Sequence, residues 1–424
     1  MQPGGICFPH GKRRISMPAV ATEIKANKIT VNMKTSLIIA ALGLASVAAA
    51  QTATAPPLAP EISDVATLSP TTPHRFFTGR FRAGSFVIFD GDNGKLEGHI
   101  PAGYIANLAL APDNSQFYVA ETYWSHGSRG TRQDLVSVYD AKTLNLVKEI
   151  SLPGRALVLK MQNFDISASG GRAYVYIMLP AASVVWVDLK KQVVGGTVEI
   201  PGCALVFPWG EQGFSSLCGD GSLANVTIPE AGPAKITHSK PFFDANNDPI
   251  FENSFVDRIT GKAIFLSYTG LVYEAKLGSD SVVEKPWSIQ KAAGFPVAGT
   301  GVQELAWRPG GGQLAAYHKA SGRLFVLMHA GNFWTHRQGG SEIWVLDTKS
   351  HSLISRFQLQ PVPTSGLAEE RVPFYEDIGV SQDAKPLLYL LNSDGNDVVL
   401  DASTGEQLRK IEFAAGNSVV VPGY

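Results

Sequence analysis

Residues 86–100 read FVIFDGDNGKLEGHI, a β-rich run that ends in Asp90, then a polar turn and a second apolar run. The same pattern returns with its aspartate at residues 136–150, 184–200, 343–357 and 398–411. Two further copies, at residues 223–236 and 271–285, keep the pattern without the aspartate. Strand repeats with a period of about 50 residues are typical of β-propellers, so the sequence predicts this architecture.

The position that recurs most clearly within these repeats is the aspartate at each turn. A carboxylate there accepts backbone N–H bonds from the residues that follow, so the chain reverses and the next run pairs antiparallel. A metal site would be the alternative interpretation, but aspartates placed one per repeat do not converge on one ion. We therefore predict turn-building roles and no metal site for Asp90, Asp140, Asp188, Asp347 and Asp401.

A second series of segments, such as FDISASGGRAYVYIM at residues 164–178, adds two strands to each repeat. The ends of the series are incomplete. HRFFTG at residues 74–79 supplies one strand before the first hairpin, and NSVVVPGY at residues 417–424 supplies one after the last. We expect an all-β, seven-bladed propeller with four-stranded blades over residues 74–424, in which the C-terminal strand closes the N-terminal blade and leaves no open edge.

The N-terminal region predicts export. Lys34 precedes the apolar run SLIIAALGLASV, and three alanines end at Ala50, which is the pattern of a secretory signal peptide over residues 33–50. The run is shorter than the roughly 20 apolar residues that a membrane-spanning helix needs. We interpret residues 1–32 as an unstructured over-extended start and residues 51–73 as a mobile arm. The expected location is the periplasm.

Composition and motifs exclude several functions. The formal net charge is -1 and 17% of residues are charged, so attraction to nucleic acid or an anionic membrane is not indicated. Zinc-ligand spacing, a phosphate-binding glycine loop and a nucleophile elbow are absent from the sequence. The residues alone favour a binding platform: a stand-alone periplasmic scaffold, or a lactonase-like hydrolase with a metal in its channel. The hydrolase would need carboxylates on its inner strands, whereas LALAP, ALVFP and ELAWRP are mostly apolar.

Two cysteines remain after export, Cys203 and Cys218. Their midpoint falls in the turn WGEQG at residues 209–213, and residues equidistant from a hairpin turn face each other across the strand pair. In an oxidising compartment we predict a disulfide between them, in the third blade.

Several longer stretches resemble one family. They are ETYWSHGSRGTRQDLVSVYDAKTLNLVKEISLP at residues 121–153, GCALVFPWGEQGFSSLCGDGSLANV at 202–226, NDPIF at 247–251, PWS at 286–288, HKASGRLFVLMH at 318–329 and SEIWVLDTK at 341–349. Together they are similar to the heavy subunit of the quinoprotein amine dehydrogenases, with a closer resemblance to aromatic amine dehydrogenase than to methylamine dehydrogenase. The RGTRQD loop and the paired cysteines are the most specific of these matches.

This resemblance implies a periplasmic α2β2 enzyme that oxidises primary amines to aldehyde and ammonia. The cofactor, tryptophan tryptophylquinone, is then made from two tryptophans of a separate, small, cysteine-rich light subunit. Electrons are expected to pass to a small blue copper protein. On this basis the present chain carries neither the quinone nor the catalytic residues.

The resemblance also implies a substrate-channel residue. The family places an aromatic side chain, normally phenylalanine, in the hydrophobic channel that leads to the quinone, and HIPAGYIANLALAPD at residues 99–113 puts Tyr104 at that position. Tyr104 is expected to begin the inner strand of the second blade, near the mouth of the propeller where ligands bind. The alternative is a tyrosine that packs between blades.

Two loops are candidates for contact with the light subunit. The first, SHGSRGTRQD at residues 125–134, contains Arg129 and Arg132. These arginines face a partner in one interpretation, and in the other an internal ion pair forms with Asp134.

The second candidate loop is NFWTHRQGG at residues 332–340. Aromatic and arginine side chains exposed together are typical of binding hot spots. A solvated hairpin tip is the alternative. The residues predicted to touch the light subunit in this loop are Phe333, Trp334, His336 and Arg337.

Overall fold

The computed structural model describes residues 67–80, 84–104, 106–127, 129–156, 162–360, 362–363, 370–371, 374–392, 395, 397–411 and 416–423. The predicted start segment, the signal peptide and the arm up to residue 66 lie outside these residues. The described chain folds into seven antiparallel sheets of four or five strands, which confirms the all-β, seven-bladed propeller. Within this part of the chain, no helix has the length and apolar character needed to cross a membrane.

The first four blades follow the chain in order, and their strands run from the innermost to the outermost. Blade 1 contains Val419–Val420, Arg75–Arg80, Ser85–Asp90 and Leu96–Pro101. Blade 2 contains Asn107–Leu110, Gln116–His126, Arg129–Asp140 and Leu146–Ser151. Blade 3 contains Phe164–Ile166 beside Arg155–Ala156, then Arg172–Leu179, Ser183–Asp188 and Val193–Glu199. Blade 4 contains Cys203–Trp209, Gly213–Cys218, Leu223–Thr227 and Lys235–His238.

The last three blades include the short additions. Blade 5 contains Phe255–Val256, Lys262–Leu266, Leu271–Lys276 and Val282–Val283 beside Trp287–Ser288, followed by the helix Ile289–Ala292. Blade 6 contains Ala306–Pro309 with Ala315–His318, then Arg323–Gly331, Glu342–Asp347 and Ser352–Gln358, and a 3-10 turn at Phe333–Thr335. Blade 7 contains Asp377–Val380, Leu387–Leu391, Asp397–Asp401 and Gln407–Ile411. A small ribbon pairs Val362–Pro363 with Glu370–Arg371.

The propeller has two ends with different connections. Because strands alternate in direction, the loops between second and third strands and the connections from one blade to the next all lie at one end, which we call the upper end. The turns between first and second and between third and fourth strands lie at the other, lower end. The described part of the predicted arm lies at the lower end, where the Leu68 amide donates to the Lys142 carbonyl at 2.8 Å.

The ring of blades closes as predicted. In blade 1, Phe77 and Thr78 pair with Val420 and Val419. The side chain of Gln313, from blade 6, donates to the Val419 carbonyl and accepts from the Val419 amide, both at 2.9 Å. The C-terminal strand is therefore held both by its own sheet and by another blade.

The predicted turn-building role of the five aspartates is confirmed. In each, a carboxylate oxygen accepts at least one backbone N–H from a residue two or three positions later, at distances from 2.7 to 3.0 Å. These bonds lower the pKa of the Asp140, Asp188 and Asp347 carboxyls below the usual value. The pKa of Asp401 is lowered first by the Ser403 hydroxyl and then by the backbone bonds. These side chains are therefore committed to their turns.

The predicted disulfide between Cys203 and Cys218 is present, but the blade was wrong: it joins the two innermost strands of blade 4, not blade 3. The hairpin pairs Trp209 with Gly213, so its turn centres on Glu211. A β-bulge between Ala204 and Phe207 then shifts the pairing by one residue, which places Cys203 opposite Cys218. Without that bulge the two cysteines would not be partners.

Candidate partner-binding site at the upper end

The upper end carries the exposed aromatic residues of the described chain. Their positions are the connection into blade 2, the blade 2 hairpin, the blade 6 loop and the connection into blade 7. Aliphatic side chains at the same end are also exposed, among them Val302 at 60% and Leu305 at 73%. Aliphatic side chains are exposed at the lower end too, such as Ile259 at 78%, but the exposed aromatics of the described chain are confined to the upper end, and aromatics are enriched at docking surfaces. The exposed aromatics are Tyr104, Tyr123, Trp334 and Phe374.

A two-stranded ribbon projects from blade 2 at this end. Pairing with the inner strand stops at Ala120, and pairing with the outer strand stops at Leu135. The two central strands continue together for six residues beyond that level, to His126 and Arg129. At about 3.3 Å per residue, the ribbon extends roughly 20 Å beyond the four-stranded part of the blade.

Tyr104 lies at the base of this ribbon. Its amide donates to the Thr122 carbonyl at 3.0 Å, and its ring packs edge to face against Trp124 with ring centres 5.9 Å apart. Half of the Tyr104 side chain remains exposed. The inner strand begins at Asn107, so the expectation that Tyr104 starts it was wrong, and Tyr104 belongs to the connection before the strand.

The preceding residue, Gly103, explains how Tyr104 comes so close to the ribbon. A Cβ at Gly103 would lie 2.5 Å from the Thr122 carbonyl oxygen, so the close approach of the two backbones requires glycine. The Gly103 amide donates to Glu121 at 2.7 Å. The Tyr104 backbone is thus fixed by two hydrogen bonds to the ribbon, one from its own amide to the Thr122 carbonyl and one from the Gly103 amide to the Glu121 carboxylate.

Arg132 is used within the chain. Its guanidinium donates to both carboxylate oxygens of Asp134, at 2.7 and 2.6 Å, and to the Ala156 carbonyl at 2.9 Å. It also lies over the Trp124 ring, 5.3 Å from the ring centre. Of the two predicted loop arginines, the structure pairs Arg132 internally, as the alternative interpretation expected, and leaves Arg129 exposed at the ribbon tip.

A buried carboxylate lies beneath the ribbon, and the sequence reasoning missed it. Glu121 accepts from the Ser137 hydroxyl and, at 2.9 Å, from the Tyr123 hydroxyl. Burial raises the pKa of Glu121, and burial together with the Glu121 charge raises the pKa of Tyr123 far above its ordinary value. Glu121 lies within the strand Gln116–His126, directly after the apolar run FYVA, and an acid at that position is the signal that the sequence offers.

The blade 6 loop is anchored by some of its side chains and exposes others. Phe333 is buried, and its ring meets Trp334 edge to face at 5.0 Å. The His336 ring stacks on Tyr268 with centres 4.2 Å apart. Trp334, at 62% exposure, and the exposed Arg337 are the predicted contact residues of this loop that face water.

Arg308 holds this loop in place from inside. It is 1% exposed, and it donates to the carbonyls of Gly331 at 3.1 Å, Gly299 at 2.9 Å and Glu304 at 3.3 Å. Its guanidinium also lies 5.7 Å from the centre of the Phe333 ring. One buried cation thus orders both the loop that exposes Trp334 and the connection that exposes Leu305. In the sequence Arg308 lies within the mostly apolar run ELAWRP, which gives no sign of this role.

His329 lies beside Arg308 in the neighbouring strand, where the two residues are register partners. Its Nε2 is 2.8 Å from the Thr335 hydroxyl. Burial, reinforced by the Arg308 charge, lowers the pKa of His329 to about 4. The imidazole is therefore neutral under the loop at neutral pH.

The central channel forms a cavity of about 260 Å³ with few acidic groups. Asp165 pairs with Arg258, and Asp257 accepts from the Ile259 amide and the Thr260 hydroxyl of its own turn. A calcium-dependent hydrolase requires several free oxygen ligands around one ion. Among the described residues that line this channel, both carboxylates are already engaged.

One pair of tryptophans lies side by side, Trp307 and Trp344, with ring centres 5.5 Å apart. Trp344 is fully buried, and Arg356 lies over both rings at 4.9 and 5.0 Å. The two rings and the guanidinium over them therefore form a packed stack within blade 6.

Comparison with known proteins identifies relatives of the whole propeller. The sequence model of a family described as methylamine dehydrogenase heavy chain matches residues 74–421. The methylamine dehydrogenase heavy chain of Methylobacillus flagellatus is 29% identical over 328 residues, which cover 76% of this chain and 77% of that protein. The heavy chain of the same name from Paracoccus versutus is 30% identical over 333 residues, covering 77% of this chain and 72% of that protein.

Solved structures share the fold at lower identity. Hydrazine synthase of Kuenenia stuttgartiensis aligns with a TM-score of 0.51 and 14% identity, covering 78% of this chain and 94% of that chain. The dihydro-heme d1 dehydrogenase NirN aligns with a TM-score of 0.50 and 15% identity, covering 84% of this chain and 76% of that chain. At these identities the similarity concerns the fold alone.

Proposed function

Because this chain belongs to the methylamine dehydrogenase heavy chain family, we propose that it is the heavy subunit of a periplasmic amine dehydrogenase. The enzyme is an α2β2 heterotetramer that oxidises primary amines to aldehyde and ammonia. Its light subunit is small, rich in cysteine and the carrier of tryptophan tryptophylquinone, and its electrons pass to a small blue copper protein. The resemblance of the sequence to the aromatic amine branch makes aromatic amines the proposed substrates, whereas the named relatives are methylamine dehydrogenase heavy chains.

The observation that carries the proposal is the concentration of exposed aromatic side chains at the upper end. Tyr104, from the connection into blade 2, and Trp334, from the blade 6 loop, are both at least half exposed. The buried Glu121 lies behind the first and the buried Arg308 behind the second. Preorganised aromatic anchors on a rigid scaffold are typical of high-affinity protein interfaces. We therefore assign the upper end as the surface that binds the light subunit.

Within the complex, this chain shapes the path of the amine. The quinone of the light subunit would accept the electrons that are removed from the amine. Tyr104 contributes an aromatic face for the apolar part of the substrate and a hydroxyl that donates or accepts a hydrogen bond. Trp124 holds the Tyr104 ring in position, and Arg132 holds Trp124 through its contact with that ring.

Isolation of the native complex tests the function. A purification tag is placed at the C terminus, because the strand Val419–Val420 runs toward the lower end of the propeller. Gly423, which lines the channel, lies away from the upper-end loops, so a tag there does not cover them. We expect a small light chain to co-purify in equal amount, with visible quinone absorbance that bleaches when a primary amine is added.

The competing function is a stand-alone periplasmic scaffold or lactonase-like hydrolase. It predicts a homogeneous partner-free chain without visible absorbance, and that result would overturn the assignment. The engaged carboxylates of the channel argue against the hydrolase, and the exposed apolar upper end argues against a protein that works alone.

A further inference from the structure

One lysine lines the lower part of the central channel. Lys319 follows the inner strand Ala315–His318 of blade 6, so it lies at the lower end of the cavity of about 260 Å³. Asp257 and Arg258, which follow the inner strand of blade 5, line the same end. Apolar residues also line the cavity, among them Leu110, Phe164, Val256 and Val421. The channel therefore combines one amine with apolar walls.

The ammonium of Lys319 is not engaged by the protein. The Lys319 amide donates to the side-chain oxygen of Gln382 at 3.1 Å, and this bond fixes the backbone. Among the described residues the side-chain nitrogen forms no hydrogen bond and no ion pair. Lys262, which is also partly buried, shows the contrast, because its ammonium lies 3.1 Å from Glu274 and donates to the Tyr317 hydroxyl at 3.0 Å. The Lys319 nitrogen is thus available to a ligand in the cavity.

The surroundings of Lys319 favour the uncharged amine. Burial lowers the pKa of Lys319, the Asp257 charge acts in the opposite direction, and the Arg258 charge lowers the pKa further. In Lys262 burial has the same effect, but the two side-chain bonds outweigh it and the pKa is raised. A lysine that is desolvated, or that lies near a second cation, is a better nucleophile because more of it is unprotonated.

We propose that Lys319 and the channel form a carbonyl-binding site, in which the lysine amine condenses with a small apolar aldehyde. The amine nitrogen attacks the carbonyl carbon, and a carbon–nitrogen double bond replaces the carbon–oxygen double bond. The oxygen leaves as water with the two hydrogens of the amine, so the step needs neither an oxidant nor a reductant. The apolar walls contact the hydrocarbon part of the aldehyde. Protonation of the imine gives a cation, which the negative charge of Asp257 stabilises.

The test is reductive trapping of the imine. The purified full chain is incubated at neutral pH with benzaldehyde and cyanoborohydride, and peptide mass spectrometry locates the benzyl groups on the lysines. We expect Lys319 to be labelled about tenfold or more faster than the exposed Lys142 and Lys385, which are protonated at this pH. The inference goes beyond the proposed function, because the site needs neither a light subunit nor a quinone. The result is therefore the same whether or not a light subunit co-purifies.

Two variants separate the amine from its charge. Lys319→Arg keeps a cation in the channel but cannot form the imine, so the fast labelling should be lost. Lys385→Gln changes an exposed lysine at a lower-end turn of blade 7 and should keep it. Circular dichroism checks the fold, and if Lys319→Arg does not fold, the labelling rates of the individual lysines in the wild type decide. Labelling of Lys319 at the rate of the exposed lysines, or fast labelling that persists in folded Lys319→Arg, would overturn the proposal.

Discussion

The ring of Tyr104 packs edge to face against Trp124, with ring centres 5.9 Å apart, although Tyr104 precedes the inner strand of blade 2 and Trp124 follows it. Trp124 is in turn covered by Arg132, whose guanidinium is fixed by Asp134. The Tyr104 side chain is therefore held from below while half of it faces water. This is the arrangement expected of a rigid aromatic wall rather than a mobile surface tyrosine.

The first prediction concerns amine selectivity. Tyr104→Phe removes one hydroxyl from the proposed channel, so we expect kcat/KM for apolar amines to rise about fivefold relative to hydroxyl-bearing amines, since one buried polar group is worth about 1 kcal/mol. Steady-state kinetics on a series of primary amines measures the ratio. The matched control is Tyr123→Phe, which also removes a hydroxyl at the upper end but one that is bonded to Glu121. Equal ratios in wild type and Tyr104→Phe would exclude the channel role.

A second prediction concerns assembly. Trp334→Ala removes the most exposed of the aromatic anchors named above, so the affinity for the light subunit should fall about 30-fold, or about 2 kcal/mol. Binding of purified light subunit to immobilised heavy chain gives the dissociation constants. Leu408→Ala, an exposed apolar residue on the outermost strand of blade 7, serves as the control and should bind like wild type. Unchanged binding by Trp334→Ala would remove this residue from the interface.

A third prediction follows from His329. Its pKa is lowered to about 4 in the folded chain, so between that value and its ordinary value of 6.5 the unfolded chain binds the proton more readily. The contribution of His329 to the free energy of unfolding is therefore constant above pH 6.5, falls as the pH drops from 6.5 to 4, and is constant again below 4. The free energy of unfolding falls by about 3 kcal/mol across this range. Urea unfolding across this range should show a weaker acid dependence in His329→Gln. An identical pH profile in the variant would contradict a neutral buried imidazole.

The fourth prediction concerns Asp377, which lowers the stability of the folded chain as the pH rises, whereas His329 lowers it as the pH falls. Burial raises its pKa to about 7 from 3.8, so the folded chain holds the proton more tightly. Its contribution to stability is present below pH 3.8 and is lost as the pH rises through 7. Asp377→Asn keeps an acceptor for the Gln313 amide, which bonds to Asp377 at 2.7 Å, and should raise the unfolding midpoint at about pH 8 more than at about pH 4. A variant that is less stable than wild type at the higher pH would show that the carboxylate itself is needed.

The sequence was sufficient for the features that depend on local turn chemistry. Asp140 and its counterparts each bond to amides two or three residues ahead, and that geometry follows from the residue type and its position after a strand. The disulfide was also predictable from spacing, but the bulge at Leu205, with a φ of 68°, was not. The spacing of the cysteines predicts the correct pair because the bulge shifts the register and brings Cys203 opposite Cys218.

The long-range features of the upper end were not predictable. Arg308 bonds to carbonyl oxygens of residues in other loops, and backbone acceptors leave no signature in the sequence. Trp124 and Trp334 both lie in polar stretches of sequence with arginine and histidine nearby, yet one lies in the ribbon and supports Tyr104 and the other is exposed to water in a loop. Which of them faces a partner depends on how two distant blades arrange their connections.

Hydrogen exchange measures whether the upper end of this propeller is the surface that binds the light subunit. Amide exchange is compared between the purified complex and the heavy chain alone. We expect exchange in the complex to be slower by about tenfold or more for residues 129–134 and 332–340, because an interface excludes water from the amides that it covers. Lower-end turns such as residues 141–145 should exchange equally in both samples. Protection confined to the lower end, or equal exchange throughout, would contradict the assignment of this surface.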